Sequence, residues 1–287
     1  MKKVCFRAVM LTLTLCVSLQ ARALTTGYLY LHYDNCTPSS IISYSVDGGS
    51  WQSVYAGVYN LHIQAEPGRY GDFTDAKEVS TLIDGLGGSA FQHTTAGGAK
   101  DIAVSAPTFC IDINQLAPKN NEWNFYELRT LDAAPGGAPG TLTMTDQSMT
   151  DLTKLWYYYS GLLDQGTVAE RNFLAGVFQV CVWEIVNERD GNYDLSDGHF
   201  KIANSNFFAT GNTWLNSLAD LADAPEEYQL RALYSDLYQD FAVLMPVTLP
   251  GGGTGAIPEP MTMASLGMAI AGVGAYMRKR KIAVESR

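Results

Sequence analysis

The stretch Arg171-Asn-Phe-Leu-Ala-Gly-Val-Phe-Gln-Val-Cys-Val-Trp-Glu-Ile-Val-Asn-Glu188 constrains the fold more than any other part of the chain. Leu174, Val177, Phe178, Cys181, Val182, Ile185 and Val186 recur at three- and four-residue steps, while Ala175, Val180 and Trp183 cover most of the remaining circumference. Such a pattern predicts a helix buried on all sides. Between Phe173 and Trp183 the only polar side chain is Gln179. A buried amide is costly unless satisfied, so Gln179 requires either a facing backbone or a covalent partner.

With 287 residues and 47% hydrophobic content, the chain can bury a full core in one large domain or two small ones. Residues 1–23 have the layout of a signal peptide: a basic start, an apolar run from Ala8 to Leu19, and the small-x-small site Ala21-Arg22-Ala23. Export from near Leu24 removes Cys5 and Cys16 and delivers Cys36, Cys110 and Cys181 to an oxidising compartment. Three is odd, so at least one thiol stays outside any internal disulfide among them. At the other end, Pro258-Glu259-Pro260 precedes an apolar run, Met261 to Met277, and the cluster Arg278-Lys279-Arg280-Lys281. That run is short for a membrane span, and the basic cluster predicts a cytoplasmic end with the body outside the inner membrane. Acidic residues outnumber basic ones 29 to 19, and nine of the basic residues lie in the two terminal segments. The exported body is therefore strongly acidic, which argues against nucleic acid or anionic lipid as a partner.

Along the body, Tyr28–Tyr33, Ile41–Val46 and Val58–Ile63 alternate like strands, separated by turn signals at Asn35–Pro38 and Asp47–Gly49. Gly85–Gly98 reads as loop. Strands resume at Ile102–Ser105, Thr108–Ile113 and Trp123–Leu131. Ser148, with Asp151 three residues on, resembles a capping box opening a first helix, whose Trp156-Tyr-Tyr-Tyr159 run is spaced for core packing. The Gln179 helix follows, then a third from about Asn212 to before Pro225. Leu230–Leu237 is ambiguous, and Phe241–Leu249 reads as a last strand. These elements predict an α+β fold, an antiparallel β-sandwich or barrel over residues 24–249. Its strands lie at about 27–131 and 241–249, and its inserted helical subdomain at about 148–224. A Gly-rich linker, 250–257, leads to the tail 258–287.

Pro258-Glu259-Pro260, the single hydrophobic segment 261–277 and the basic end at Arg278, Lys279 and Arg280 together resemble the PEP-CTERM sorting signal of exported proteins in exopolysaccharide-producing Gram-negative bacteria. The resemblance implies processing by exosortase, a membrane cysteine protease, with transient residence in the inner membrane. The destination it implies is the cell surface or extracellular matrix. Phe109-Cys110 and Phe178-Gln179-Val-Cys-Val-Trp183 resemble the signature of thioester domains of bacterial surface adhesins, an aromatic-Cys pair and a Thr-Gln-x-Ala-Ile-Trp segment. Phe178, Cys181 and Val182 depart from that pattern. The resemblance implies an internal thioester between Cys110 and Gln179, supported by Phe109 and Trp183. It would couple to an amine or hydroxyl on an extracellular polysaccharide or other surface target. In that chemistry the thiol attacks the Gln carbonyl carbon, ammonia leaves, and the acyl group survives only where water is excluded. Cys181, on the same helix, is a competing disulfide partner for Cys110.

Other chemistry is sparse. Asp190–Lys201 spaces oxygen ligands like a calcium loop, but Leu195 and Lys201 replace the turn glycine and the terminal glutamate, which favours an ordinary loop. Glu184 and Glu188 lie one helical turn apart and could imitate a glycosidase pair, although a solvated helix edge explains them more simply. His32, His62, His93 and His199 lack metal-ligand spacing, and neither a phosphate-binding loop nor a serine-hydrolase elbow is present. The sequence thus reads as a non-enzymatic exported surface or matrix protein without cofactor or metal. Covalent attachment through a thioester and passive structural or polymer binding are its two principal modes.

Overall fold

A computed structural model describes residues 27–65, 91–94, 100–119, 122–135, 143–188, 191–226 and 228–245. The segments expected from sequence to be a signal peptide (1–23), a linker (250–257) and a sorting tail (258–287) lie outside the described residues. Every pairing among the described strands is antiparallel. The strands are β1 (Gly27–Val46), β2 (Gln52–Ala65), β3 (Phe91–Thr94), β4 (Lys100–Cys110), β5 (Trp123–Arg129), β6 (Phe200–Ile202), β7 (Gln229–Tyr234) and β8 (Phe241–Met245). The helices are α1 (Asp146–Tyr159), α2 (Val168–Asn187) and α3 (Phe208–Ser217). Together they form an α+β structure. The sheet order is β2-β1-β5-β7-β8-β4-β3, with β6 on β1, and a further pairing of β2 with β4 makes the connectivity ring-like.

The β1–β2 hairpin turns where the sequence places it, at Asp47 and Gly48. Both take positive φ, 50° and 70°, as a hairpin turn with the right-handed twist of its strands requires. Asn35–Pro38 does not form the expected turn between two strands. It lies within one 20-residue strand as register shifts between Tyr33 and Asn35 and between Cys36 and Ser39. Asn60 Nδ2 donates to Asn35 Oδ1 and to the Thr37 carbonyl, 2.8 Å each, so local polar groups are satisfied without reversing the chain. The loop expected at Gly85–Gly98 contains β3, whose hydrogen bonds come from β4 and leave no signal in local composition. The strand expected over Thr108–Ile113 stops at Cys110, where the Ile111 N–H leaves the ladder for the Asp240 carbonyl at 3.0 Å. The ambiguous Leu230–Leu237 contributes β7.

The three helices appear with shifted starts. Thr145, not Ser148, caps α1 by accepting from the Ser148 N–H at 3.1 Å. Asp151 instead accepts from Gln147 Nε2 at 2.9 Å and from the Tyr193 hydroxyl at 2.8 Å. Trp156 and Tyr159 are buried, which confirms core packing for that run. α2 begins at Val168 because Thr167 and Glu170 form a reciprocal capping box. α3 begins at Phe208 rather than Asn212, and β6 interrupts the stretch 148–224 by pairing with β1.

α2 is the central element, buried from Ala175 to Val186 as the sequence predicts. It lies on β1 closely enough that a Cβ at Gly176 would meet the Phe207 ring at 2.9 Å and Ser40 Cβ at 3.0 Å. This approach brings the middle of the helix down to the end of β4, where Cys110 lies.

Candidate functional site

The end of β4 is locked to α2 by rings. Phe109 packs against Phe178 with centroids 4.4 Å apart and meets Trp156 edge-on at 5.2 Å. Aromatic pairs in these geometries add stabilisation beyond their area. Phe109 therefore supports the site by fixing the neighbouring Cys110 against the helix.

Cys110 and Gln179 are both fully buried and in contact, as the sequence predicts. Their contact is through the backbone. Cys110 N–H donates to Gln179 Oε1 at 3.0 Å, and Gln179 Nε2 donates to the Cys110 carbonyl at 2.8 Å. The amide completes the hydrogen bonding of the last residue of β4, a facing-backbone arrangement that gives both the oxygen and the nitrogen of Gln179 a partner. One turn along α2, on the same face, Trp183 Nε1 donates to Cys110 Sγ at 3.3 Å. The Cys110 thiol donates to the Asp112 carbonyl at 3.2 Å.

The side-chain amide directed at the sulfur belongs to Gln239, whose Nε2 donates to Cys110 Sγ. This residue was missed by sequence reasoning. It sits in the loop between β7 and β8, and its backbone is fixed on both sides. Its N–H donates to the Leu116 carbonyl at 3.1 Å, and its carbonyl accepts from the Tyr126 hydroxyl at 3.1 Å. Asp240 Oδ1 tightens the loop by accepting from the Ser235 N–H at 2.7 Å. Phe241, two residues beyond Gln239, pairs with Cys110 across β8 and β4. A glutamine and an aspartate immediately ahead of an apolar strand were the available sequence signal, but nothing local connects them to a cysteine 239 − 110 = 129 positions earlier.

The thiol sits in a dry setting. Burial pushes the Cys110 thiol well above its ordinary pKa, against the opposing hydrogen bonds from Trp183 and Gln239. Burial likewise raises Tyr59, whose hydroxyl donates to the Tyr55 carbonyl at 3.2 Å. A free thiolate is disfavoured here, so chemistry at this sulfur must hand its proton to a neighbour as the new bond forms. In the resting arrangement the thiol proton is directed at the Asp112 carbonyl and the Gln239 N–H at the sulfur.

Cys181 does not join this cluster. Two residues from Gln179 is about 200° around a helix, and its sulfur points the other way, 3.7 Å from the Gly211 carbonyl of α3. Cys36, Cys110 and Cys181 are all free thiols, so the disulfide considered from sequence is not present. Sharing a helix with Gln179 does not place Cys181 on the same face. Cys181→Ala is accordingly expected to leave any reactivity of Cys110 unchanged and to cost only the packing of one small side chain, about 1 kcal/mol. Amine uptake and a denaturation curve measured side by side check this.

The remaining candidates resolve into structure. Glu184 and Glu188 are buried rather than on a solvated edge. Glu184 Oε1 accepts from the Asp194 N–H at 2.6 Å, while Glu188 Oε1 accepts from Phe200 N–H at 3.0 Å and from His199 N–H. Both glutamates clamp the segment following α2. Along that segment Asp194 Oδ1 accepts from the Ser196 N–H, and Lys201 Nζ lies 3.3 Å from Asp197. This is an ordinary self-bonded loop. Among the described residues no group of three or more His, Cys, Asp and Glu side chains is arranged to hold a metal ion. No helix among them is long and apolar enough to cross a membrane, and the segment 261–277 lies outside them. No protein-family model, curated protein or solved structure matches the chain.

Proposed function

We propose that this chain is an exported surface or matrix protein, sorted by exosortase through its Pro258-Glu259-Pro260 tail. In this reading it attaches covalently to a target through an internal thioester between Cys110 and Gln239. Its fold is that of a thioester domain, a sandwich or barrel with an inserted helical subdomain. The observation that carries the reading is the Gln239 amide seated on the Cys110 sulfur in a buried site. Cys110 Sγ attacks Gln239 Cδ, the C–Nε2 bond breaks, and the thiol proton leaves with nitrogen as ammonia. The product is an acyl thioester. An incoming amine or hydroxyl then takes the acyl group, forming an amide or ester and returning the proton to Cys110. Trp183 orients the sulfur, and Gln179 positions the Cys110 backbone without itself reacting.

A second reading, a passive structural or polymer-binding domain, is favoured by the complete burial of Cys110, which disfavours its thiolate. Intact mass of the purified protein separates the two. The thioester reading expects loss of one ammonia and uptake of methylamine at Gln239, located by peptide mapping. An unmodified mass with no amine adduct would leave the passive domain standing.

A further inference from the structure

The sheet brings together two histidines that lie 62 − 32 = 30 positions apart in the sequence. His32 on β1 is directly opposite His62 on β2, and Trp123 on β5 is directly opposite His32. Their sequence neighbours Leu31, Leu61 and Ile63 are buried in the core, so strand alternation sends the two imidazoles to the other face of the sheet, away from Cys110. The ring centroids are 5.6 Å apart between the histidines and 5.4 Å between His32 and Trp123.

That separation suits a shared ion. A metal bound to an imidazole nitrogen at about 2.0 Å lies roughly 3 Å from the ring centroid, so two such rings at a tetrahedral angle have centroids roughly 5 Å apart. Side-chain torsions alone can absorb the remaining difference, because directly opposed residues on adjacent strands already hold their Cβ atoms close. Each imidazole has two nitrogens, and a hydrogen bond at one fixes the tautomer that presents the other as a ligand.

We propose that His32 and His62 form a two-imidazole site for a borderline divalent transition-metal ion, with water completing its coordination. Two neutral nitrogen donors suit Cu2+, Ni2+ and Zn2+ rather than hard ions such as Ca2+ or Mg2+. Copper is held most tightly because it tops the affinity order for such donors. The site is independent of the thioester reading, since strand alternation places both histidines on the face of the sheet opposite the core that holds Cys110.

The test is titration of the full chain with Cu2+, following tryptophan fluorescence and binding heat together. The expected result is saturable binding of one ion with quenching of the Trp123 emission. His32→Gln and His62→Gln should each weaken binding by more than the ~10–100-fold typical of losing an outer-shell partner. Trp123→Phe should remove the quenching while the heat remains. Protection by Cu2+ of His32 and His62 from diethylpyrocarbonate, mapped by mass spectrometry on the unsubstituted protein, reads the same site whether or not the variants fold. Unsaturable quenching, affinity unchanged by both substitutions, or protection of His93 and His199 instead would each overturn the proposal.

Discussion

Gln239→Ala is expected to abolish amine uptake completely and to return the protein to its unmodified mass, because the variant lacks the acyl group that Cys110 would acquire. Cys110→Ala should do the same from the other side of the bond. Gln179→Ala should behave differently. It retains both reacting groups but loses the two hydrogen bonds that hold the Cys110 backbone, 3.0 and 2.8 Å in the wild-type protein. A misplacement of about 1 Å costs roughly 100-fold in rate, so the thioester should form slowly rather than never. Time-resolved intact mass after refolding distinguishes a slow approach to full ammonia loss from its absence. Complete loss of reactivity in Gln179→Ala with reactivity retained in Gln239→Ala would reverse the roles assigned to the two glutamines.

The largest effect on stability is expected for Gln179→Leu. Leucine preserves much of the side-chain volume but leaves the Cys110 N–H and carbonyl buried without their partners. Each unsatisfied group costs about 1–3 kcal/mol, giving roughly 2–6 kcal/mol together. That is a large share of the about 5–15 kcal/mol that holds a typical domain folded. Urea denaturation of wild type and variant at equal protein concentration measures it. A loss below about 1 kcal/mol would mean that water or a relaxed backbone replaces the amide, and the site would then be wetter than its burial indicates.

The contrast between the two glutamines marks what could be read from the sequence. Gln179 was conspicuous because it interrupts an otherwise apolar helix, and period alone predicts its burial and its place at the centre of the molecule. Phe109, Cys110 and Trp183 were likewise found, and all of them meet at the end of β4. The identity of the amide facing the sulfur could not be read, since it depends on how β8 pairs with β4, and pairing between distant strands has no local signature. The same limit explains β3, hidden in a Gly-rich stretch, and β7, whose short run lacks a decisive period. Cys181 shows the converse error. Its sequence distance from Gln179 suggested proximity to Cys110, whereas 200° of helical rotation sends it to α3. For Glu184 and Glu188 charge alone predicts a solvent-facing edge, yet each finds backbone N–H donors in the segment that folds over α2.

Gln239 stands just ahead of β8, the last described strand, with 245 − 239 = 6 positions from it to Met245. If a target is joined to the Gln239 acyl group while the chain is held at a point C-terminal to β8, tension entering at Gln239 leaves through β8 alone. β8 is paired along its length with β7 and with β4 at Phe109 and Cys110. The pull would therefore run along a continuous covalent backbone from the bond to that point, and the rest of the domain, α2 included, would hang beside the line of force instead of within it. A domain tethered in this way bears load without unfolding, and its thermodynamic stability places no ceiling on its mechanical strength.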